Sequence, residues 1–140
     1  MKYWMDYVKA SYEVILYGEE KSGINLEHEI EAFVVHTLAR YMENPKIPTD
    51  VIAIQLMESL SKTGEIRKQQ LQKVAEECIL IDGLELNSRR WPNQNYFVDM
   101  GKIALSYRAY SQRPPELFYE NVAKNMVKIS KVLHGIKNEI

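Results

Sequence analysis

The sequence predicts an all-α fold, a single-domain bundle of about five to six helices spanning residues 1–140. Three observations predict it. Apolar residues recur at three- and four-residue spacing through most of the chain. Glycine and proline fall mainly between those runs. No run alternates long enough to build a convincing strand ladder.

The first segment, Lys2 to Tyr17, has no Gly or Pro and carries Trp4, Val8, Tyr12 and Ile15/Leu16 at helical spacing, with Tyr3, Tyr7 and Val14 on an adjoining stripe. Its aromatic and β-branched content leaves a strand reading of Glu13 to Tyr17 open. Gly18 and Gly23 then bracket a charged turn, EEKS. In the second helix Leu26, Ile30, Phe33/Val34, Thr37/Leu38 and Tyr41 repeat, Asn25 supplies the N-cap, and Glu27, Glu29 and Glu31 suit the helix dipole. It ends near Asn44, because Pro45 and Pro48 force an extended link.

Thr49 or Asp50 caps a third helix with apolar positions Val51, Ile54, Met57 and Leu60, closed by Gly64. The fourth, from Glu65 to about Asp82, buries Leu71, Val74, Ala75, Cys78 and Ile81 and stops at Gly83, suited to a left-handed C-cap. Asn93 or Asn95 caps a fifth, with Tyr96, Phe97, Met100, Ile103/Ala104 and Tyr107 on one side. Gly101 inside it costs about 1 kcal/mol relative to alanine, which calls for close approach of a neighbouring helix. Pro115 opens a sixth helix that runs through Val122, Met126, Ile129 and Leu133 to Gly135.

Composition narrows the class. A hydrophobic fraction of 46% and a charged fraction of 26% are globular averages and exclude extended disorder. A chain this long buries roughly 68 to 70% of its unfolded surface without disulfide or metal. The one cysteine, Cys78, sits in an apolar-periodic stretch and reads as a buried small hydrophobe, with Glu76 and Glu77 beside it raising its pKa. Asp6, Lys9 and Glu13 interrupt any signal-peptide core, and aliphatic runs reach only about four residues against the ~20 that span a bilayer. The expectation is a cytoplasmic protein with no membrane association.

Charge divides unevenly. Residues 1–88 hold 9 Lys/Arg against 15 Asp/Glu, and residues 89–140 hold 9 against 4, so a net −6 faces a net +5. Either the two halves attract within the chain or between two chains, or the C-terminal half meets an anionic partner.

Catalytic patterns are missing from the sequence. It has no phosphate loop, GxSxG elbow, CxxC pair or HExxH. A diiron bundle needs Glu three residues before His, and the residues before His28, His36 and His134 are Asn25, Phe33 and Lys131. His28 and His36 lie eight apart, about 12 Å along a helix, too far to chelate one ion together. The expectation is therefore no metal, no cofactor and no catalytic residue, with His36 partly buried.

Two surfaces stand out. Arg89 and Arg90 beside Trp91, with Tyr96 and Asp99 following, could clamp a carboxylate or phosphate under the indole. Tyr3, Trp4 and Tyr7 offer more apolar surface than one face need bury, and Lys124, Lys128 and Lys131 form one basic stripe with Glu120 placed to pair with Lys124. Arg67, Lys68 and Lys73, interleaved with Gln69, Gln70 and Gln72, give a third candidate, nucleic-acid contact, against which acidic Glu65, Glu76 and Glu77 count.

The order Cys78, Gly-Leu, Arg-Arg, then Tyr-Phe-Val-Asp-Met-Gly-Lys and Tyr107 resembles a family of small bacterial all-helical proteins. The resemblance extends back through EIEAFVVHTLARYMENP, covering about Leu26 to Tyr110. It implies a compact α domain in a bacterial cell and carries no activity to transfer. The sequence reading is a non-enzymatic protein acting through protein–protein association, a homodimer included. A small-anion site at Arg89, Arg90 and Trp91 is the alternative, and nucleic-acid binding the third.

Overall fold

The fourth helix in chain order holds an unbroken apolar run, Cys78 to Ile81, that covers a full turn, and such a turn folds only where neighbours surround it. In the computed structural model they do. The structure describes residues 3–46, 51–86 and 95–136. Among them are seven helices and no strand: α1 (Trp4–Ser22), α2 (His28–Glu43), α3 (Ile52–Leu60), α4 (Gly64–Gly83), α5 (Tyr96–Ala109), α6 (Leu117–Lys124) and α7 (Met126–His134). Helix α4 packs against α3, α5 and α7, α1 against α2 and α7, and α5 against α6. Buried side chains from all seven form one apolar cluster, in which Ile15, Ile30, Leu38, Leu71, Leu105, Ile129 and Leu133 are fully enclosed. Each contributes on the order of 1.5 to 3 kcal/mol.

Several expectations change. Helix α1 does not stop at Gly18 but continues to Ser22, and the segment read as a charged turn is its last turn. Gly18 is buried against α7: a Cβ there would sit 2.6 Å from the Val132 carbonyl oxygen. The turn belongs to Gly23, which takes the left-handed φ of 72° at the C-cap. Asn25 is not the N-cap of α2. The Leu26 N–H is held by the Glu19 carboxylate at 2.8 Å, and the helix begins two residues later behind Glu27.

On α3 the buried positions are Ile52, Leu56 and Ser59, while Val51, Ile54 and Met57 are exposed, Met57 at 71%. The proposed caps Thr49 and Asp50 lie outside the described residues. Helix α4 ends as expected but for a different reason. Gly83 remains helical because the Leu133 side chain packs on it, and Glu85 takes the left-handed φ of 52°. On α5, Ile103 and Tyr107 are exposed, whereas Val98, Leu105 and Arg108 face inward. Asn95 occupies the N-cap position, and the other proposed cap, Asn93, lies outside the described residues. Gly101 does admit a neighbour, with Met126 Cε 2.6 Å and Cys78 Cβ 3.3 Å from where its Cβ would stand. The expected sixth helix is two, α6 and α7. At Asn125, φ −101° and ψ 6°, the side-chain amide turns back to donate to the Asn121 carbonyl at 2.8 Å.

Candidate functional site

Helices α1 and α2 lie side by side, and their N-terminal halves leave an apolar groove of about 530 Å³. Met5, Val8 and Tyr12 line one wall at helical spacing, and Ala32 and Val35 line the other. Asp6, Lys9, His28, Glu31 and His36 add polar groups. Trp4 and His36 approach with ring centroids 6.3 Å apart, and His36 Nδ1 lies 2.8 Å from the Ala32 carbonyl oxygen. His36 is exposed, contrary to the sequence expectation, because it sits on the α2 face turned away from the core. Tyr3 is 71% exposed and Met5 68%, while Trp4 and Tyr7 are half-buried.

The same helix pair holds an acid pair. Glu19, 5% exposed, meets the Glu31 carboxyl while its Oε2 accepts the Leu26 N–H. Burial raises the Glu19 pKa from 4.5 to about 7, and the hydrogen bond and charge of Glu31 add to the rise; the Leu26 N–H works against it. The Glu19 carboxyl therefore keeps its proton well above the usual carboxylate range. Glu31 also lines the apolar groove.

Lys124, Lys128 and Lys131 are all exposed, with the exposed Val127 among them, and none forms an ion pair among the described residues. The i, i+4 partner Glu120 does not close on Lys124. Among the described residues, three ion pairs lie each on one side of residue 88: Arg40–Glu76 at 2.8 Å, Lys68–Glu65 at 3.2 Å and Arg108–Glu116 at 2.7 Å. One contact crosses, His134 to Glu85 at 3.9 Å. Direct pairing among the described residues thus does not absorb the charge division.

The Arg89, Arg90 and Trp91 cluster lies outside the described residues. Of its companions, Tyr96 is half-buried and edge-on to Phe97 at 5.1 Å, and Asp99 is exposed. The nucleic-acid candidate loses two of its three cations to internal bonds. Arg67 donates to the Leu60 carbonyl at 3.1 Å and Lys68 to Gln112 at 2.8 Å. Two arrangements resemble catalytic ones without the needed geometry. Ser130, Asp82 and His134 converge, but the hydroxyl donates to the Asp82 carboxylate and the imidazole Nε2 contacts the Asp82 carbonyl, so the imidazole is not placed to take the serine proton. Cys78 is fully buried, and burial with Glu77 and Asp82 nearby pushes its thiol up, away from thiolate.

Sequence reasoning missed a chain of polar contacts joining α2, α4, α5 and α6. Arg40 Nε donates to Glu76 Oε1 at 3.0 Å, and Gln72 donates to Glu76 Oε2 at 2.9 Å. The Tyr119 hydroxyl donates to Gln72 at 3.1 Å, and Arg108 Nη2 donates to that hydroxyl at 3.3 Å. Arg108 is 8% exposed, its guanidinium 4.2 Å from the Tyr119 ring centroid. Its Nε is buried without a hydrogen-bond partner among the described residues. Above the Arg40–Glu76 end lies the larger groove of the two, about 810 Å³, between α2 and α4.

No family model, curated protein or solved structure matches the chain. Among the described residues no three His, Cys, Asp or Glu side chains cluster as metal ligands would, and no helix is long and apolar enough to cross a membrane.

Proposed function

We propose that the protein is a single helical domain that works by association, with a second copy of itself as the partner. The observation that carries this reading is the unpaired charge. The Lys124, Lys128 and Lys131 stripe has no ion-pair partner among the described residues, while Asp6, Glu13, Glu20, Glu27 and Glu29 are exposed on the α1–α2 side without one. Helix α7 packs beside α1, and Asn121 of α6 donates to Glu27 at 3.2 Å, so acidic and basic surfaces are neighbours. A two-fold pair that lays each basic stripe along the other copy's acidic edge satisfies both surfaces at once. The exposed Tyr3, Met5 and Tyr12 supply apolar area of the kind enriched at interface centres.

The role is non-enzymatic in this reading, and its setting is the cytoplasm of a bacterial cell. The lone buried Cys78 suits a reducing compartment, and the resemblance over Leu26 to Tyr110 points to a bacterial source. Light scattering on eluting protein tests the association. A dimer mass is expected at low salt, shifting toward monomer near ~0.5 M salt as screening weakens the charged contacts. Lys124→Glu with Lys128→Glu and Lys131→Glu should give monomer throughout. A wild-type protein that is monomeric at every salt concentration refutes the proposal.

A further inference from the structure

Residues 1–88 carry only nine Lys/Arg against a net −6, yet three of those nine, Arg40, Lys46 and Lys73, line one groove between α2 and α4. Lys46 and Lys73 are exposed and form no ion pair among the described residues. Arg40 is held in place. Its Nε and Nη2 meet one oxygen of Glu76 at 3.0 and 2.8 Å, and the other oxygen is occupied by Gln72, itself fixed by the Tyr119 hydroxyl. A guanidinium oriented by a saturated carboxylate offers its remaining N–H groups in one direction, the arrangement that favours bidentate recognition of an anion. Its side chain is 45% exposed, so those groups are reachable. Glu76 and Glu77 also line the groove, but Glu76 is paired with Arg40 and Glu77 is only 8% exposed, so Lys46 and Lys73 are the charges that reach its mouth.

We propose that this groove binds a small phosphate-bearing molecule, its phosphate held by Lys46, Lys73 and the oriented Arg40. The charge count favours phosphate over carboxylate. Two unpaired ammonium groups match a monoester carrying roughly −1.5 to −2 at pH 7, and a carboxylate would leave one of them unmatched. The volume, about 810 Å³, falls in the range of small-molecule sites, and the Tyr41 ring, Asn44 and Gln69 on the lining suit the rest of a polar ligand.

The test uses the full chain in phosphate-free buffer, titrated with inorganic phosphate, pyrophosphate and succinate, read by amide chemical shifts and calorimetry. Pyrophosphate and phosphate should shift Asn44, Gln69 and Gln72 saturably. Lys46→Met with Lys73→Met should weaken binding by about tenfold or more, since two of the three cations that hold the phosphate are removed. Both side chains are exposed and unpaired, so the variant keeps its fold. A control, Lys21→Met with Lys62→Met, both exposed and outside the groove, should leave affinity unchanged. Absence of saturable phosphate binding, equal affinity in the groove variant, or equal losses in groove and control variants overturns the proposal. Succinate binding as tightly as phosphate overturns the assignment of ligand class.

Discussion

Glu19→Gln should flatten the dependence of folding stability on pH. Burial, with the hydrogen bond to Glu31 adding to it, raises the native Glu19 carboxyl from 4.5 to about 7. A raised pKa means that the folded protein holds a proton the unfolded chain releases. The resulting stability is therefore complete below about 4.5 and is lost as pH rises through about 7. At roughly 1.4 kcal/mol per pH unit, the loss across that window is at most about 3 kcal/mol. Glutamine stays neutral, keeps an oxygen for the Leu26 N–H and gains an amide that can donate to Glu31. Urea unfolding followed by helical circular dichroism, from about pH 5 to about pH 8, gives both curves, and their difference cancels every other titrating group. The variant should match wild type at the acid end and exceed it by about 2 to 3 kcal/mol at the alkaline end. Glu19→Ala, which loses the bond to Leu26 as well, should be destabilised at every pH. Parallel curves for wild type and Glu19→Gln would refute the reasoning.

The other predictions concern the core. Gly18→Ala and Gly83→Ala should each destabilise by about 1 to 3 kcal/mol in thermal or urea unfolding, because the new Cβ meets the Val132 carbonyl or the Leu133 Cβ at 2.6 Å. Gly101→Ala should cost far less, since its closest neighbour is the terminal methyl of Met126 and the gain in helix propensity offsets about 1 kcal/mol. Glu116→Gln should cost about 3 kcal/mol by leaving the nearly buried Arg108 uncompensated, and adding Arg108→Met should recover part of that loss in the same assay. Cys78 should resist a thiol reagent at mildly alkaline pH until the protein unfolds, so a reaction faster than global unfolding would contradict its burial.

The existence of the helices was legible because glycine and proline punctuate them, but the role of a glycine was not. Gly18 and Gly23 look alike in sequence. One opens room for α7 and the other turns the chain, and only the partner helix distinguishes them. Helix α3 misled for another reason. In IAIQLMESL apolar residues occupy both sides, so the stripe Val51, Ile54, Met57 and the stripe Ile52, Leu56 fit a helical period equally well. The break at Asn125 was hidden because Val122, Met126, Ile129 and Leu133 keep period across it and are all buried. At the sites, the exposed Tyr3 and the lysine stripe follow from local spacing. The Arg40–Glu76 and Tyr119–Gln72 bonds join residues 36 and 47 positions apart, which no local pattern records.

The glycine contacts also bear on association. Gly18 of α1 admits Val132 and Ile136, Gly83 of α4 admits Leu133, and Gly101 of α5 admits Met126. Three helices thus receive the inner face of the α7 segment at distances where a single added methyl would collide. Close packing of that kind permits one seating and penalises slippage or rotation. The outer face carries Lys128 and Lys131, with Lys124 just before the Asn125 bend, so the basic stripe is presented in a fixed register. A partner that meets a pre-set row of charges need order only the lysine side chains and not the helix beneath them, which lowers the entropic cost of binding. Loosening that seat with Gly18→Ala, in protein still folded at low temperature, should therefore weaken dimerisation even though Gly18 is buried and touches no partner.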